Sequence, residues 1–493
     1  MSKTLFETEP ELDISQISHR AVSGVLVLTL RKFALRAFSY LGSIFLARLL
    51  LPEVFGIFAI VSFIINFFAF FSDVGLGAAL IQKKDKLTQK DLAVTFSLQQ
   101  ILVLVVIILL FLISPFFAQQ YALGPQGQWF IRAFSISLFL TSLKTIPTIL
   151  LERRLKFKKL IIPEIVEVIS FQVIAVGLAW LGFAVWSFIL ALVIRSFLGV
   201  ITLYLISPWR PAFAWDKKIA KRFISFGIPF QLNGFIAMVK DAVMPLFVGA
   251  VSGAAALGFL NWALTFSKLP ILFMSDIFRV TFPTYSRIQH DKKLLKTAVE
   301  KTIRFTNLFL FPAVFLLAAA AKPIVHLIFT DKWLPALPAF YIHLFGILVV
   351  GIANVFMDTF WALGKTKIAV RLLIIYTLVN WGTSVPLVYR YGFIGAMIGS
   401  VIVLYISLPL TWYYMQTIVK IKVLNQIWAA FIAAALAGLI TWRVGLVLAN
   451  SLFSLMAVLL LGGLSYVLFL LILERQRLLA DLNWFLAKIK PRK

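Results

Sequence analysis

Stretches of roughly 20 mostly apolar residues recur between residues 22 and 473, each long enough to cross the ~30 Å hydrocarbon layer of a bilayer as one helix. No water-covered globule could absorb them. Of the 493 residues 61% are hydrophobic, with 48 Phe, and only 14% are charged, which leaves too little polar material to coat a core. The chain therefore reads as an all-α polytopic membrane protein. Fourteen transmembrane helices are predicted, at 22–49, 54–80, 93–118, 128–150, 161–181, 183–206, 223–251, 254–282, 304–329, 335–363, 367–389, 391–418, 427–449 and 452–473. Residues 1–21 carry Glu7, Glu9, Glu11 and Asp13 and no apolar core, so they are expected to be a cytoplasmic N-terminal segment rather than a cleavable signal.

The 47 Lys and Arg exceed the 20 Asp and Glu by a formal charge of +27. In a soluble protein such a balance would suggest nucleic acid as partner; here the cations alternate between loops, and nucleic acid is excluded as a first choice. With these spans, 31 cations fall in loops on one side of the membrane, while the opposite loops hold only Lys332 and Arg390. The positive-inside rule then puts both termini in the cytoplasm. Enzyme and pump motifs are missing as well. There is no Cys, the four His are scattered without metal-ligand spacing, and GxxxxGK[ST], HEXXH and GxSxG do not occur. No loop is long enough to fold as a catalytic or nucleotide-binding domain. No metal and no bound cofactor are expected.

Fourteen cations remain within or at the ends of spans, against six acids: Asp73, Glu164, Glu167, Asp241, Asp276 and Asp358. A charge at mid-bilayer costs at least about 2.5–3.5 kcal/mol on insertion scales, so such groups line water or meet a partner. Arg48, Arg304, Lys322, Arg371 and Arg443 lie near span ends, where a long side chain reaches the interface. Arg31, Lys32 and Arg36 lie deep in the first span, which contains no acid. They belong either to a polar cavity or to an ion-pair network with other helices. Lys268 and Arg279, eleven residues apart in the eighth span, return to within about 20° on a continuous helix, with Asp276 one turn from Arg279. Lys240 and Asp241 point in different directions and could pair with other helices or face the cavity; Lys144 and Arg195 complete the set. Glu164 and Glu167 are expected to neutralise either the Arg153 to Lys159 cluster or Lys144, or to take up a proton, a role equally open to the other acids. A surplus of buried cations fits an anion with clustered charge, such as a pyrophosphate, and not a hydrophobic cation.

Internal repetition divides the chain. Gly56 and Gly258 both open the second span of a hairpin, 202 residues apart, and Gly182-Phe183 and Gly392-Phe393 recur at an offset of 210. Spans 1–6 (22–206) and 7–12 (223–418) thus form two six-helix lobes in a parallel repeat, followed by two C-terminal helices (427–473) and a basic cytoplasmic tail (474–493). Residues 207–222, rich in Pro and Lys, form the cytoplasmic inter-lobe linker, read as a hinge, an interfacial amphipathic segment or a solvated connection.

Three segments, "ARLLLPEVFGIFAIVSF" (47–63), "DVGLGAALIQKKD" (73–85) and "FWALGKTKIAV" (360–370), resemble the polysaccharide (Wzx-type) flippases of the multidrug/oligosaccharidyl-lipid/polysaccharide exporter (MOP) superfamily and, more distantly, the lipid II flippase. That resemblance implies a multi-pass protein of the bacterial cytoplasmic (inner) membrane. It would translocate an undecaprenyl-pyrophosphate-linked oligosaccharide repeat unit by alternating access, for capsule, exopolysaccharide or O-antigen synthesis. It further implies a pyrophosphate held by Arg31 and Arg36, with Lys240 and Lys268 from the opposite lobe; Lys32, Lys144 and Arg195 are additional candidates from their positions within the spans. Coupling would come from H+, Na+ or the membrane potential, and the partners would be membrane lipids, a polysaccharide polymerase and a chain-length regulator. Trp262, Trp361 and Trp381 are either stacking surfaces for sugar or packing groups. The alternatives are a membrane-embedded glycosyltransferase or polymerase acting on the same substrate, and a drug/cation antiporter of the same fold.

Overall fold

The computed structural model describes residues 34–489 except 84, 86 and 273; the side chains at 230, 232–237, 239–242, 275, 276 and 481–489 lie outside the described set. Every regular element among these residues is helical. The first half comprises α1 (34–49), α2 (Pro52–Asp73), α3 (Leu76–Gln82), α4 (Gln89–Gln120), α5 (Gly127–Leu143), α6 (Thr145–Arg153), α7 (Phe157–Trp180) and α8 (Val185–Ile206). The second comprises α9 (Lys217–Ser267), α10 (Met274–Ile288), α11 (Lys292–Ile324), α12 (Leu337–Ala362), α13 (Thr366–Tyr391) and α14 (Phe393–Ile418), after which come α15 (Leu424–Leu448) and α16 (Leu452–Ile489). Among the described residues, twelve helical units are long and apolar enough to cross a membrane. The expected count of fourteen is not reached among the described residues: α1 and the part of α9 before Val243 are not among the twelve.

Chain breaks follow from residues that cannot continue a helix. In α9, Gly253 (φ 84°, ψ 171°) separates two limbs, at the boundary expected between the seventh and eighth spans. The eighth span itself is not one helix, contrary to expectation. It stops at Ser267, passes through a 3-10 turn at Leu269–Ile271 and resumes as α10, because Pro270 has no N–H to donate. Lys268 and Arg279 therefore lose the phase relation that a continuous helix would give them. The second span likewise ends at Asp73. Val74 (φ 47°) and Gly75 (φ 71°) turn the chain through the left-handed region into α3. The last carbonyls of α3 are capped from a distance: Arg153 Nη1 donates to Leu80 O (2.7 Å) and Lys83 O (2.8 Å). This elbow is the "DVGLGAALIQKKD" segment, and its composition is that of a structural joint.

The two lobes meet along α2 and α9. Here backbones touch with no side chain between them: a Cβ on Gly56 would stand 1.7 Å from Ala254 O, and one on Gly258 would stand 1.9 Å from Pro52 O. Residues 52 and 254, like 56 and 258, are 202 positions apart, so this contact maps onto itself under the sequence repeat. Further along the same pair of helices, Gln231 Nε2 reaches Phe70 O (3.4 Å), and a Cβ on Gly227 would fall 2.2 Å from Val74 O.

The inter-lobe linker is packed rather than solvated. Trp209 and Phe213 place their rings 5.1 and 5.4 Å from Phe96 of α4, Ala214 N donates to Ser97 Oγ (3.0 Å), and Lys90 pairs with Asp216 at 2.6 Å. Lys90 and the α9 amides of Ile219 and Lys218 hold the Asp216 carboxyl below the usual carboxylate range. Ala220 and Phe223, at the start of α9, join Leu76, Leu80, Leu92 and Ile146 in one core cluster.

At the far end of the chain, the alanines of α15 (Ala429, Ala430, Ala433, Ala434 and Ala437) pack with Phe311 of α11 and Tyr466 of α16. Arg304, expected to reach the interface, is instead buried against Glu474 at 2.5 Å, and Glu474 also accepts from Arg477 (3.1 Å). The reason is local: Glu474 sits where α16 bends (φ −143°, ψ 39°), which turns its carboxylate inward. Two outcomes follow. Glu474→Ala, which removes the carboxylate paired with the buried Arg304, should cost about 3–5 kcal/mol in denaturant unfolding of the detergent-solubilised protein. Gly258→Leu should lower the unfolding temperature through backbone overlap, at a cost of about 1–3 kcal/mol, whereas a leucine at Gly182, with nothing within 4 Å of its Cβ position, meets only the strain of its φ of 86°.

Candidate functional site

Of the intramembrane charges that stand out in sequence, Arg36, Lys144, Glu167 and Arg195 lie in the first lobe and Lys268 in the second. α1 packs on α7 where a Cβ at Gly42 would overlap Gln172 Oε1 (2.0 Å) and Gln172 Nε2 donates to Ser39 O (3.3 Å). From that contact Arg36 and Glu167 each lie about 7 Å towards the face bearing the basic loops, at 1.5 Å per residue. Glu167 sits between two cations. It pairs with Lys144, at the α5–α6 junction, and faces Arg195 of α8 at 3.9 Å. α8 can come this near because Gly199 leaves room for the carboxylate, where a Cβ would stand 1.9 Å from Glu167 Oε1. The 3.9 Å separation is too long for a hydrogen bond, so Arg195, which also lies over the Phe171 ring at 5.5 Å, is held loosely. One carboxylate thus serves two cations, with Arg36 at the same level.

Across the seam, Tyr40 of α1 faces Phe266 of α9, ring centroids 6.2 Å apart. Lys268 follows two residues later and Arg36 precedes Tyr40 by one turn, so each lobe places a cation on the basic-face side of this contact. Lys268 and His343 line a 390 Å³ cavity within the second lobe, together with Tyr376, Thr377, Asn380 and Ser400. Ser267 Oγ gives its proton to Ala263 O (2.5 Å) and so accepts from His343 Nδ1–H (2.6 Å), leaving the Nε2 lone pair as an acceptor. Neither His343 nor Asn380, which accepts from Ser384 at 3.1 Å, was singled out from sequence. The available signal was a polar side chain in the middle of an apolar span.

The remaining candidates divide plainly. Arg31 and Lys32 lie outside the described residues, as do the side chains of Lys240, Asp241 and Asp276. Asp73 faces the first amides of α3, at Leu76 and Gly77, as a cap does. Asp358 accepts from Thr281 Oγ1 (2.8 Å) and ties α12 to α10. Glu164 is exposed one turn from Glu167. Trp262 is a packing group, buried among Phe266, Phe329, Trp333 and Phe340, whereas Trp361 is exposed. Among the described residues no cluster of three His, Asp or Glu could hold a metal.

Two helical lobes in parallel repeat, meeting along α2 and α9 and each carrying intramembrane charges, form the architecture of an alternating-access membrane transporter. The family model described as "Polysaccharide biosynthesis protein" matches residues 45–338, well over half of the chain, and the chain belongs to that family. The teichuronic acid biosynthesis protein TuaB of Bacillus subtilis is 26% identical over 396 residues, covering 76% of this chain and 78% of that protein. The succinoglycan biosynthesis transport protein ExoT of Rhizobium meliloti is 27% identical over 297 residues, 59% of each. Among solved structures, the lipid II flippase MurJ in an inward closed conformation superposes with a TM-score of 0.73 at 16% identity, over 92% of this chain and all of that one. The resemblance read from the three sequence segments therefore holds at the level of family and of fold.

Lys144→Met should lower unfolding stability by about 1–3 kcal/mol, because it leaves a half-buried carboxylate without its closest partner. Adding Glu167→Gln should restore most of that loss, as read by denaturant unfolding of the single and double variants.

Proposed function

We propose that this protein is a flippase, not an enzyme, that carries a lipid-linked oligosaccharide across the bacterial inner membrane for polysaccharide assembly. Undecaprenyl pyrophosphate is the carrier this reading assigns. The single observation that supports it most is the surplus of cations in both lobes: Arg36, Lys144 and Arg195 in the first, with Glu167 between the last two, and Lys268 in the second, lining a cavity whose other polar groups are neutral. A pyrophosphate diester brings two negative charges and bidentate acceptors to such a place, whereas a drug cation would be repelled. The relatives are named for polysaccharide biosynthesis and for transport, which is the same assignment.

The basic face is the cytoplasmic one in this reading, by the positive-inside rule, and both termini lie there. Cargo enters from that side, drawn by the loop cations. Bound pyrophosphate neutralises the seam and lets the lobes close, a shift driven by its stronger binding to the closed state. Release outward draws on H+ or Na+, or on the membrane potential, which favours movement of each negative charge to the outside by about 2.3 kcal/mol per 100 mV. This reading also assigns Arg31, Lys32 and Lys240 to the cargo, on their positions in the sequence alone. A polymerase with its chain-length regulator would then consume the translocated unit.

Arg36→Ala and Arg36→Glu should abolish surface polysaccharide while the protein remains folded in the membrane; full export by both variants would remove α1 from the site. Purified protein in vesicles should move the lipid-linked oligosaccharide to the outer leaflet without lengthening it, and polymer formation would refute the assignment.

A further inference from the structure

On the face opposite the basic loops, two helix ends point their last carbonyls at each other. α1 stops at residue 49, and the C-terminal carbonyls of a helix have no partner within it. Two of them are taken by the other lobe: Lys332 Nζ donates to Arg48 O (2.7 Å) and Trp333 Nε1 to Ala47 O (2.8 Å). The favour is returned. Arg48 Nη1 donates to Leu327 O (2.9 Å) and Ile328 O (3.3 Å), the closing carbonyls of the π-helix Val325–Phe329 that extends α11. Each helix end thus carries a cation from the opposite lobe, where the negative end of its dipole favours one. Trp333 is fully buried, its ring 5.2 Å from that of Phe55 on α2. The segment that presents Lys332 and Trp333 is strained: Thr330, β-branched, sits at φ 89°, in a region that such residues rarely adopt. Beneath lies a wholly apolar cavity of 320 Å³, lined by Tyr40 and Ile44 of α1 and by Trp262, Phe266, Phe329 and Phe340.

We infer that Arg48, Lys332 and Trp333 are positioning residues of the transport cycle, forming a reciprocal helix-cap clasp that keeps the outer side shut and must release before cargo leaves. This rests on the flippase reading, which makes that face the external one. The clasp holds the helix that carries Arg36, twelve residues or about 18 Å away, so its release at one end frees the helix bearing a cargo-binding cation at the other. The closed form is favoured by charge-assisted hydrogen bonds and opposed by the strain at Thr330, which leaves a balance that cargo can tip.

Because the chain has no cysteine, a single introduced thiol reports without background. Ile44→Cys, in the cavity beneath the clasp, is labelled in intact cells with a membrane-impermeant maleimide, in the parent and with Lys332→Met plus Trp333→Phe; Arg48→Met repeats the test from the other lobe. Labelling should accelerate about tenfold or more in both backgrounds, while Ala437→Cys, buried in the remote α15–α16 core, should stay unreactive. An unchanged rate at Ile44→Cys, or an equal rise at Ala437→Cys, overturns the clasp. The readout needs no substrate, so it is separable from the flippase reading: if the parent translocates lipid-linked oligosaccharide and labelling does not change, the clasp alone fails.

Discussion

Helices in a bilayer gain nothing from hiding apolar surface from one another, since lipid is as apolar as leucine; they associate by close packing and by the few polar contacts that packing permits. In this chain the contact on which the rest depends is the approach of α2 to α9 at Gly56, Ala254, Pro52 and Gly258, where backbone meets backbone. Because the four positions form two pairs related by the same offset, the seam is pseudo-symmetric at this point. A side chain at Gly56 or Gly258 would push the two backbones, and with them the lobes, apart. With the crossing fixed there, α1 is brought alongside the second limb of α9.

The charges then fall into two groups with different physics. Some are scaffold. Arg153 satisfies the carbonyls at the end of α3, Arg132 donates to Ser114 Oγ (3.0 Å) and to Phe111 O (3.3 Å), and Arg304 is matched by Glu474. These cations complete hydrogen bonds and ion pairs that would otherwise be left open in oil. The second group differs: in the first lobe Lys144 and Arg195 share one carboxylate, and in the second Lys268 opens onto a cavity whose other polar groups are neutral, His343 in its Nδ1–H tautomer among them.

The span plan, the two-lobe repeat and the Gly56–Gly258 correspondence were legible in sequence because they rest on periodicity and length, which need no knowledge of neighbours. What was not legible depends on distant partners. Arg304 and Glu474 are 170 residues apart, and nothing near either one marks the pairing. The linker reads as solvated because it is rich in Lys and Pro, yet Trp209 and Phe213 anchor it on Phe96; the aromatic residues were the signal, and their target lay a hundred residues upstream. Pro270 was visible and still was not taken as a break, since prolines within other helices here, such as Pro115 and Pro386, are carried without one. Lys332 and Arg48 read as interface residues from their positions alone. Only the meeting of two helix ends turns them into caps.

The seam also explains why the face opposite the basic loops needs a fastening of its own. Both lobes carry a surplus of cations, and like charges repel, so the empty lobes are pushed apart. The glycine crossing offers close packing but little directional hold. A clasp of four hydrogen bonds at the ends of α1 and α11, two of its donors cationic, opposes that push on one face while leaving the other face to the linker and the α3 elbow. In the flippase reading proposed above, an anionic cargo would change the sign of that force from repulsive to attractive. Once the lobes are drawn together by the cargo, the clasp is no longer what holds them, and the strained segment at Thr330 is free to let go.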